Sequence, residues 1–140
     1  MPERRSARVL LVEDDLPLAR IVAGHLRARG HEARVATSVE AAESEIAGGY
    51  RPTIVLLDIN LPDTTGWSLL RSGSLERAGS PPVYIVSATA IPASRLREFS
   101  VAGYLPKPFA LPTLIELVER SPLTDGGTAE AVRGGDPDAL

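Results

Sequence analysis

The sequence predicts an α/β fold in which helices cover both faces of a doubly wound, five-stranded parallel sheet. Short apolar runs alternate with helical segments five times along the 140 residues, which is typical of parallel strands joined by right-handed crossovers. Residues 53–57 form an unbroken run of β-branched and aliphatic side chains. Such a run indicates a central strand that is buried on both faces, so we expect a three-layer sandwich.

Each element follows from its own local pattern. Apolar or alternating runs predict strands over residues 8–12, 31–37, 53–57, 83–86 and 103–105. Apolar residues at helical spacing, with glycine or proline near the ends, predict helices over residues 16–29, 39–47, 66–78, 92–100 and 111–118. Gly73 weakens the third of these helices by up to ~1 kcal/mol relative to alanine, and the fourth helix can only be short.

The length of the chain fits one domain. We expect it to fill residues 7–121, after a flexible N-terminus at 1–6 and before a flexible tail or linker stub at 122–140. A domain of this size buries roughly 68–70% of its unfolded surface, so its core requires no metal or disulfide. The absence of cysteine excludes disulfides, thiolate metal sites and cysteine nucleophiles.

The composition also narrows the range of partners. A net charge of −3, with one Trp, two Phe and three Tyr, disfavours direct binding to nucleic acid, which needs a basic face or stacking aromatics. The first apolar run, residues 9–12, is far too short for a signal peptide or a membrane span. We therefore expect a cytoplasmic protein that contacts neither nucleic acid nor membrane directly.

One carboxylate, Asp58, follows the central strand directly, and Pro62 then prevents the strand from continuing. Taken alone, Asp58 is as easily read as a turn or cap residue. Three other strands also end in polar groups, namely Glu13 with Asp14, Ser87 and Lys107. Because the carboxyl ends of parallel strands meet at one edge of a sheet, we expect all of these side chains to lie close together.

The chemistry of this set points to phosphoryl transfer. Neighbouring carboxylates repel each other unless a cation lies between them, and Mg²⁺ prefers oxygen ligands. A lysine and a hydroxyl suit phosphoryl oxygens, and a carboxylate can itself accept the phosphoryl group. Taken singly, the acids could be a helix charge cluster, Ser87 a strand-end hydroxyl and Lys107 a solvated cation. Those readings explain the joint set poorly.

Four segments resemble the receiver domains of bacterial response regulators, including chemotaxis receivers, in two-component signalling. They are residues 9–15, 54–63, 85–88 and 103–109. The resemblance covers about residues 7–121 and implies a (βα)5 flavodoxin-like fold. It also implies a phosphoprotein that catalyses its own phosphorylation and dephosphorylation without being a turnover enzyme.

The resemblance assigns roles to individual residues. It implies Asp58 as the phosphoacceptor and a Mg²⁺ ion, with Mn²⁺ as the alternative, bound by Asp14, Asp58 and the backbone carbonyl of Asn60. It implies that Glu13 binds the ion directly or through water. It further implies that Lys107 pairs with the phosphate and that the Lys107–Pro108 peptide is cis.

The same resemblance implies a conformational switch formed by Ser87 and Tyr104, with Asn60 and Thr89 tuning hydrolysis. The alternative for Tyr104 is an ordinary edge-strand aromatic. The implied phosphodonor is a sensor histidine kinase, a phosphotransfer protein or a small phosphodonor, and the implied output is binding to a downstream protein target. A dimer that forms on phosphorylation is left open.

Two features depart from the family pattern. Residues 101–103 read Val-Ala-Gly where an acidic pair is usual before the tyrosine, and Trp67 follows Gly66 in the loop after Asp58. We interpret Trp67 as a core or helix-face aromatic. The altered segment keeps a second hypothesis open, namely a receiver-shaped interaction module that works without phosphorylation. A haloacid-dehalogenase-like phosphatase is disfavoured because Asn60 stands where that family has a second aspartate.

Overall fold

The computed structural model describes residues 6–121. The sequence-based expectations for the tail at 122–140, and for all but Ser6 of the N-terminal segment, therefore lie outside the described residues. Within that range, no helix is long and apolar enough to cross a membrane.

The five predicted strands form one parallel sheet in the order β2-β1-β3-β4-β5. Their bounds are β1 Arg8–Val12, β2 Glu32–Ala36, β3 Ile54–Leu57, β4 Val83–Ser87 and β5 Gly103–Pro106. The register pairs Val12 of β1 with Leu57 of β3, so these two strands end at the same level. This alignment brings the residues that follow each strand to a common edge.

The helices are α1 Leu16–Ala28, α2 Val39–Ala47, α3 Trp67–Arg71, α4 Ser74–Arg77, α5 Ala93–Glu98 and α6 Leu111–Arg120. The prediction of one helix over residues 66–78 was wrong, because α3 and α4 are separate. Gly73 lies between them with a φ of +85°, a left-handed conformation that interrupts the helix and that glycine adopts at little cost. The short helix predicted near residues 92–100 is confirmed as α5.

The sheet separates two apolar cores, as the three-layer prediction required. Alternate residues of a strand point to opposite faces, so Val9 and Leu11 join the core beneath α1 and α6, whereas Leu10 and Val12 join the core beneath α2, α3 and α4. Residues 54–57 of β3 are all buried, which confirms that this strand is central. Burial of the apolar strands between two helical layers is the main stabilising term of this fold.

Helix α5 is attached differently from the other helices, since none of its residues, all within the described range, is buried. Instead, the Phe99 ring at its C-cap stacks on Trp67 of α3, with the ring centroids 4.8 Å apart. The Arg95 guanidinium lies over the Trp67 ring at 4.8 Å from its centroid. Trp67 itself is buried, which confirms its interpretation as a core aromatic.

The end of α6 is joined to the α1–β2 turn by an ionic cluster. The Arg29 guanidinium contacts both carboxylate oxygens of Glu119, at 2.6 and 2.8 Å. His31 receives the Ala7 N–H at Nδ1 (3.0 Å), so its Nε2 carries the proton that it donates to Glu119 at 2.9 Å. Hydrogen bonds from Arg29, and then from His31, lower the pKa of Glu119 to about 2, so the Glu119 carboxylate stays ionised at neutral pH.

Two glycine substitutions should have opposite effects on stability. Gly73→Ala should lower the free energy of unfolding by about 1–2 kcal/mol, because alanine is strained in the left-handed region. Gly24→Ala should raise it by up to ~1 kcal/mol, because Gly24 lies inside α1 and an added Cβ meets nothing within 4 Å. Urea denaturation of both variants measures the difference, and a Gly73→Ala protein as stable as Gly24→Ala would contradict the proposed helix break.

Candidate functional site

The three acidic residues after β1, residues 13–15, have different surroundings. Asp15 caps α1, since its Oδ1 accepts the Leu18 N–H at 3.1 Å. Glu13 is buried, with 3% of its surface exposed, and its Oε2 accepts the Asp15 N–H at 3.1 Å. Asp14 is exposed. One carboxylate is therefore held inside the sheet edge and the next faces solvent beside it.

Asp58 follows β3 directly and is 5% exposed. Its N–H donates to the Val12 carbonyl at 3.0 Å, which extends the pairing of β1 and β3 by one residue. Its Oδ1 accepts the Asn60 N–H at 3.1 Å. The backbone thus fixes both the position and the orientation of the Asp58 carboxylate.

Gly66 closes the loop over Asp58. Its N–H donates to the Ile59 carbonyl at 2.8 Å, and a Cβ built on Gly66 would lie 2.5 Å from the Asp58 carbonyl oxygen. No real Cβ tolerates that distance to backbone, so this position requires glycine. The sequence shows a glycine eight residues after Asp58, but not the backbone that passes beside it.

Lys107, at the end of β5, joins the carboxylates as predicted. Its Nζ lies 2.7 Å from Glu13 Oε1 and 3.1 Å from Asp58 Oδ2. Its own N–H donates to the Ser87 carbonyl at 3.0 Å, and the Lys107–Pro108 peptide is cis. The residues that directly follow β1, β3 and β5 therefore meet in one crevice, although the strands are far apart in sequence.

The charges in this crevice do not balance. Glu13, Asp14 and Asp58 can each place an oxygen within 4.8 Å of the others, opposite the single Lys107 ammonium. Burial raises the pKa of Glu13, against the lowering effect of its hydrogen bond to Lys107, and the charge on Asp58 adds to the rise. Burial lowers the pKa of Lys107, but its hydrogen bonds to Glu13 and Asp58 outweigh this, so the net shift is upward.

The excess of negative charge fits a hard divalent cation. Three carboxylates offer oxygen ligands on a rigid sheet edge, and the exposed Asp14 leaves room for the waters that Mg²⁺ retains. A soft metal is disfavoured, because the group holds neither sulfur nor imidazole. Glu13, Asp14 and Asp58 are thus the residues that could hold such an ion.

The remaining predicted residues form a hydrogen-bonded chain beside this crevice. Ser87 is fully buried, and its Oγ accepts the Thr89 N–H at 3.2 Å. Asn60 Nδ2 donates to Thr89 Oγ1 at 2.7 Å, and the Tyr104 hydroxyl donates to the Thr89 carbonyl at 3.2 Å. Ser87 and Tyr104 are therefore connected through Thr89, a link that the sequence did not reveal.

A doubly wound sheet with acids, a hydroxyl and a lysine at one edge is the arrangement that the resemblance to signalling receiver domains implies. This chain belongs to the response regulator receiver domain family, whose model matches residues 9–119. It is a receiver of two-component signalling, and the family predicted from the four motifs is confirmed.

Curated relatives are longer than this chain. The transcriptional activator protein PfeR of Pseudomonas aeruginosa is 40% identical over 112 residues, which cover 78% of this chain and 35% of PfeR. The uncharacterized transcriptional regulatory protein YvcP of Bacillus subtilis is 32% identical over 114 residues, covering 80% of this chain and 47% of YvcP. The chain thus spans between about a third and about half of the length of these relatives.

Solved structures agree on the fold. The non-phosphorylated HemR receiver domain from Leptospira biflexa is 32% identical, with a TM-score of 0.70 over 82% of this chain and 93% of that one. The chemotaxis response regulator CheY4 of Vibrio cholerae is 24% identical, with a TM-score of 0.73 over 83% and 98% of the two chains, and supports the fold alone. The predicted flavodoxin-like architecture is confirmed.

Removal of the Lys107 ammonium should destabilise the protein. Lys107→Met in metal-free buffer should lower the free energy of unfolding by about 1–3 kcal/mol, because two buried carboxylates lose their charged hydrogen-bond donor. Adding Glu13→Gln should recover part of this loss, since one of the two charges is then removed. Chemical denaturation with EDTA present measures both effects.

Arg20→Met, which removes an exposed cation from α1, serves as the control and should change stability by no more than about 0.5 kcal/mol. A Lys107→Met protein as stable as this control would show that the lysine does not offset the carboxylates.

Proposed function

We propose that this domain accepts a phosphoryl group on Asp58 in a Mg²⁺-dependent reaction and that the modification changes its binding to a protein partner. The observation that carries the proposal is the contact of Lys107 with Asp58 beside two further carboxylates. A cation in contact with the acceptor and a metal-binding group beside it are what phosphoryl transfer to a carboxylate requires.

In the transfer, a carboxylate oxygen of Asp58 forms a bond to phosphorus while the bond from phosphorus to the donor's leaving group breaks. Asp14, Asp58 and the Asn60 carbonyl would bind the Mg²⁺ ion, with Glu13 binding directly or through water. The ion supplies positive charge that neutralises the phosphoryl oxygens. Mn²⁺ would serve in its place.

We expect Lys107 to change its contact partner during the transfer. Before transfer, its ammonium contacts Glu13 and Asp58. After transfer, the phosphoryl oxygens are the stronger acceptors and Lys107 binds one of them. The Ser87 hydroxyl donates to another. Asn60 and Thr89, joined side chain to side chain, then control how water reaches the phosphoryl group and so tune hydrolysis.

The output of this reaction is a change around Thr89. If Ser87 turns its hydroxyl toward the phosphoryl group, it no longer accepts the Thr89 N–H, and the Tyr104 hydroxyl loses its fixed acceptor on the same residue. Tyr104 lies against the core that Phe99 and Leu96 of the α5 region also cover. Ser87 and Tyr104 would thus transmit phosphorylation to the surface formed by α5 and β5.

The phosphodonor would be a sensor histidine kinase or a phosphotransfer protein, and the partner a downstream protein. The domain would catalyse its own phosphorylation and hydrolysis without turnover of a separate substrate. The relatives PfeR and YvcP are transcriptional regulators by description, so a transcriptional output of the whole protein is one form that this signal could take.

Incubation with acetyl phosphate and Mg²⁺ tests the proposal. Intact-mass spectrometry should show the gain of one phosphoryl group, lost with EDTA and lost in Asp58→Asn, because the amide oxygen is a poor nucleophile. Glu32→Gln, which removes an exposed acid at the start of β2, is the control and should be modified like the wild type. Modification of Asp58→Asn at the wild-type rate, or none of the wild type with any donor, would refute the assignment.

The second hypothesis, a phosphorylation-independent interaction module, predicts a different outcome. It rests on the altered residues before Tyr104 and on an α5 without buried residues. In that case a partner would bind wild type and Asp58→Asn with equal affinity in the presence of acetyl phosphate and Mg²⁺.

A further inference from the structure

Asp63 lies in the loop between β3 and α3, residues 58–66, and binds the start of a different helix. Its Oδ1 accepts the Val39 N–H at 3.1 Å and its Oδ2 accepts the Glu40 N–H at 3.0 Å. Both amides belong to the first turn of α2, where no intrahelical acceptor exists for them. The loop that leaves Asp58 is therefore joined to α2 by two charged hydrogen bonds.

This contact is not needed to give α2 a cap. Ser38 already caps the helix, since its Oγ accepts the Ala41 N–H at 3.0 Å. The helix also buries Val39, Ala42 and Ile46 against the core. Asp63 is thus a second N-terminal acceptor supplied from 24 residues away, and what it adds is a connection between the loop and the helix.

The rest of the loop is held by bonds within it and by Ile59 and Leu61, which pack on the core. Asn60 and Thr65 pair across it as an isolated antiparallel bridge, and the Gly66 N–H donates to the Ile59 carbonyl. These bonds keep the loop narrow but do not fix its tip relative to the sheet. The Asn60 side chain reaches Thr89 on one side, and Asp63 reaches α2 on the other.

The Asp63 carboxylate can hold the first turn of α2 although it is exposed to solvent. Hydrogen bonds from the backbone amides, that of Glu40 above all, lower the pKa of Asp63. The positive end of the α2 dipole favours the same ionised form. The contact therefore persists across the neutral pH range.

We propose that Asp63 is a positioning residue for the metal site: by holding the loop between β3 and α3 against α2, it fixes the Asn60 carbonyl beside Asp14 and Asp58. The inference rests on the proposed function, in which that carbonyl binds the divalent ion. Asp63 lies three residues after Asn60, in the loop tip that the bridge between Asn60 and Thr65 closes, so a tip released from α2 lets that bridge and the Asn60 carbonyl move. Such supporting contacts commonly set metal affinity.

Binding of Mn²⁺, followed by electron paramagnetic resonance of the free ion, tests this directly. Asp63→Ala should bind Mn²⁺ about tenfold more weakly than the wild type, and Asp63→Asn, which keeps one acceptor, should fall between them. Amide hydrogen exchange should be faster at Gly66 in both variants. With acetyl phosphate, the Mg²⁺ concentration for half-maximal phosphorylation should rise while the maximal rate changes little.

Two control variants distinguish a positioning role of Asp63 from the loss of a helix cap and from the loss of a negative charge. Ser38→Ala removes the other cap of α2 and should lower stability without changing Mn²⁺ affinity. Glu40→Gln removes an exposed negative charge from the same helix end and should leave Mn²⁺ affinity within about twofold, because exposed charges are screened over a Debye length of ~10 Å.

The outcomes are distinct. Wild-type Mn²⁺ affinity in Asp63→Ala, or an equal loss in Ser38→Ala or Glu40→Gln, overturns the positioning role. Mn²⁺ binding that depends on Asp63, in a wild-type protein that accepts no phosphoryl group, supports this inference and overturns the proposed phosphorylation alone. A wild-type protein that binds no Mn²⁺ overturns both.

Discussion

Three carboxylates gathered around one lysine are the constraint on which the rest of this structure depends. Two like charges about 4 Å apart repel by about 4 kcal/mol at an effective dielectric constant of ~20, and here Glu13 and Asp58 are buried as well. The apolar strands β1 and β3 supply the energy that holds these groups together, because both are packed between two helical layers. The cores thus maintain an excess of negative charge that a divalent cation would offset.

Much of this arrangement could be predicted, because a parallel sheet converts strand ends into neighbours. The run at 53–57 identified the central strand, and Glu13, Asp58, Ser87 and Lys107 followed from the ends of four strands. No long-range contact had to be known for that step. Only the alternation of elements and the handedness of their crossovers were required.

The contacts that the sequence did not reveal join elements whose spacing carries no signal. Gly73 looked like a weak point in one helix, yet its left-handed backbone ends α3 and starts α4. The sequence assigned no role to Asp63, yet its carboxylate accepts two amides at the start of α2. Gly66 and Trp67 are similar cases. The Asp58 carbonyl restricts position 66 to glycine, and the Phe99 ring stacks on Trp67. Local propensity does not contain such partners.

The fold also separates a rigid part from a part that can respond. Asp58 and Lys107 are fixed by strands, whereas α5 is attached only through partly buried side chains, ring stacking and arginine contacts. Elements with little buried area open at low free-energy cost. A change at Thr89, between Asn60 and Tyr104, would therefore be expressed most readily at α5.

A crystal structure of the protein with Mg²⁺ and a beryllofluoride mimic of the phosphoryl group tests the central claim most directly. We predict beryllofluoride on Asp58, Mg²⁺ bound by Asp14, Asp58 and the Asn60 carbonyl, and Lys107 contacting a fluoride instead of Asp58. A complex with beryllofluoride bound away from Asp58 would contradict the account. So would a complex in which Lys107 still contacts the Asp58 carboxylate and no metal is bound by Asp14 and Asp58.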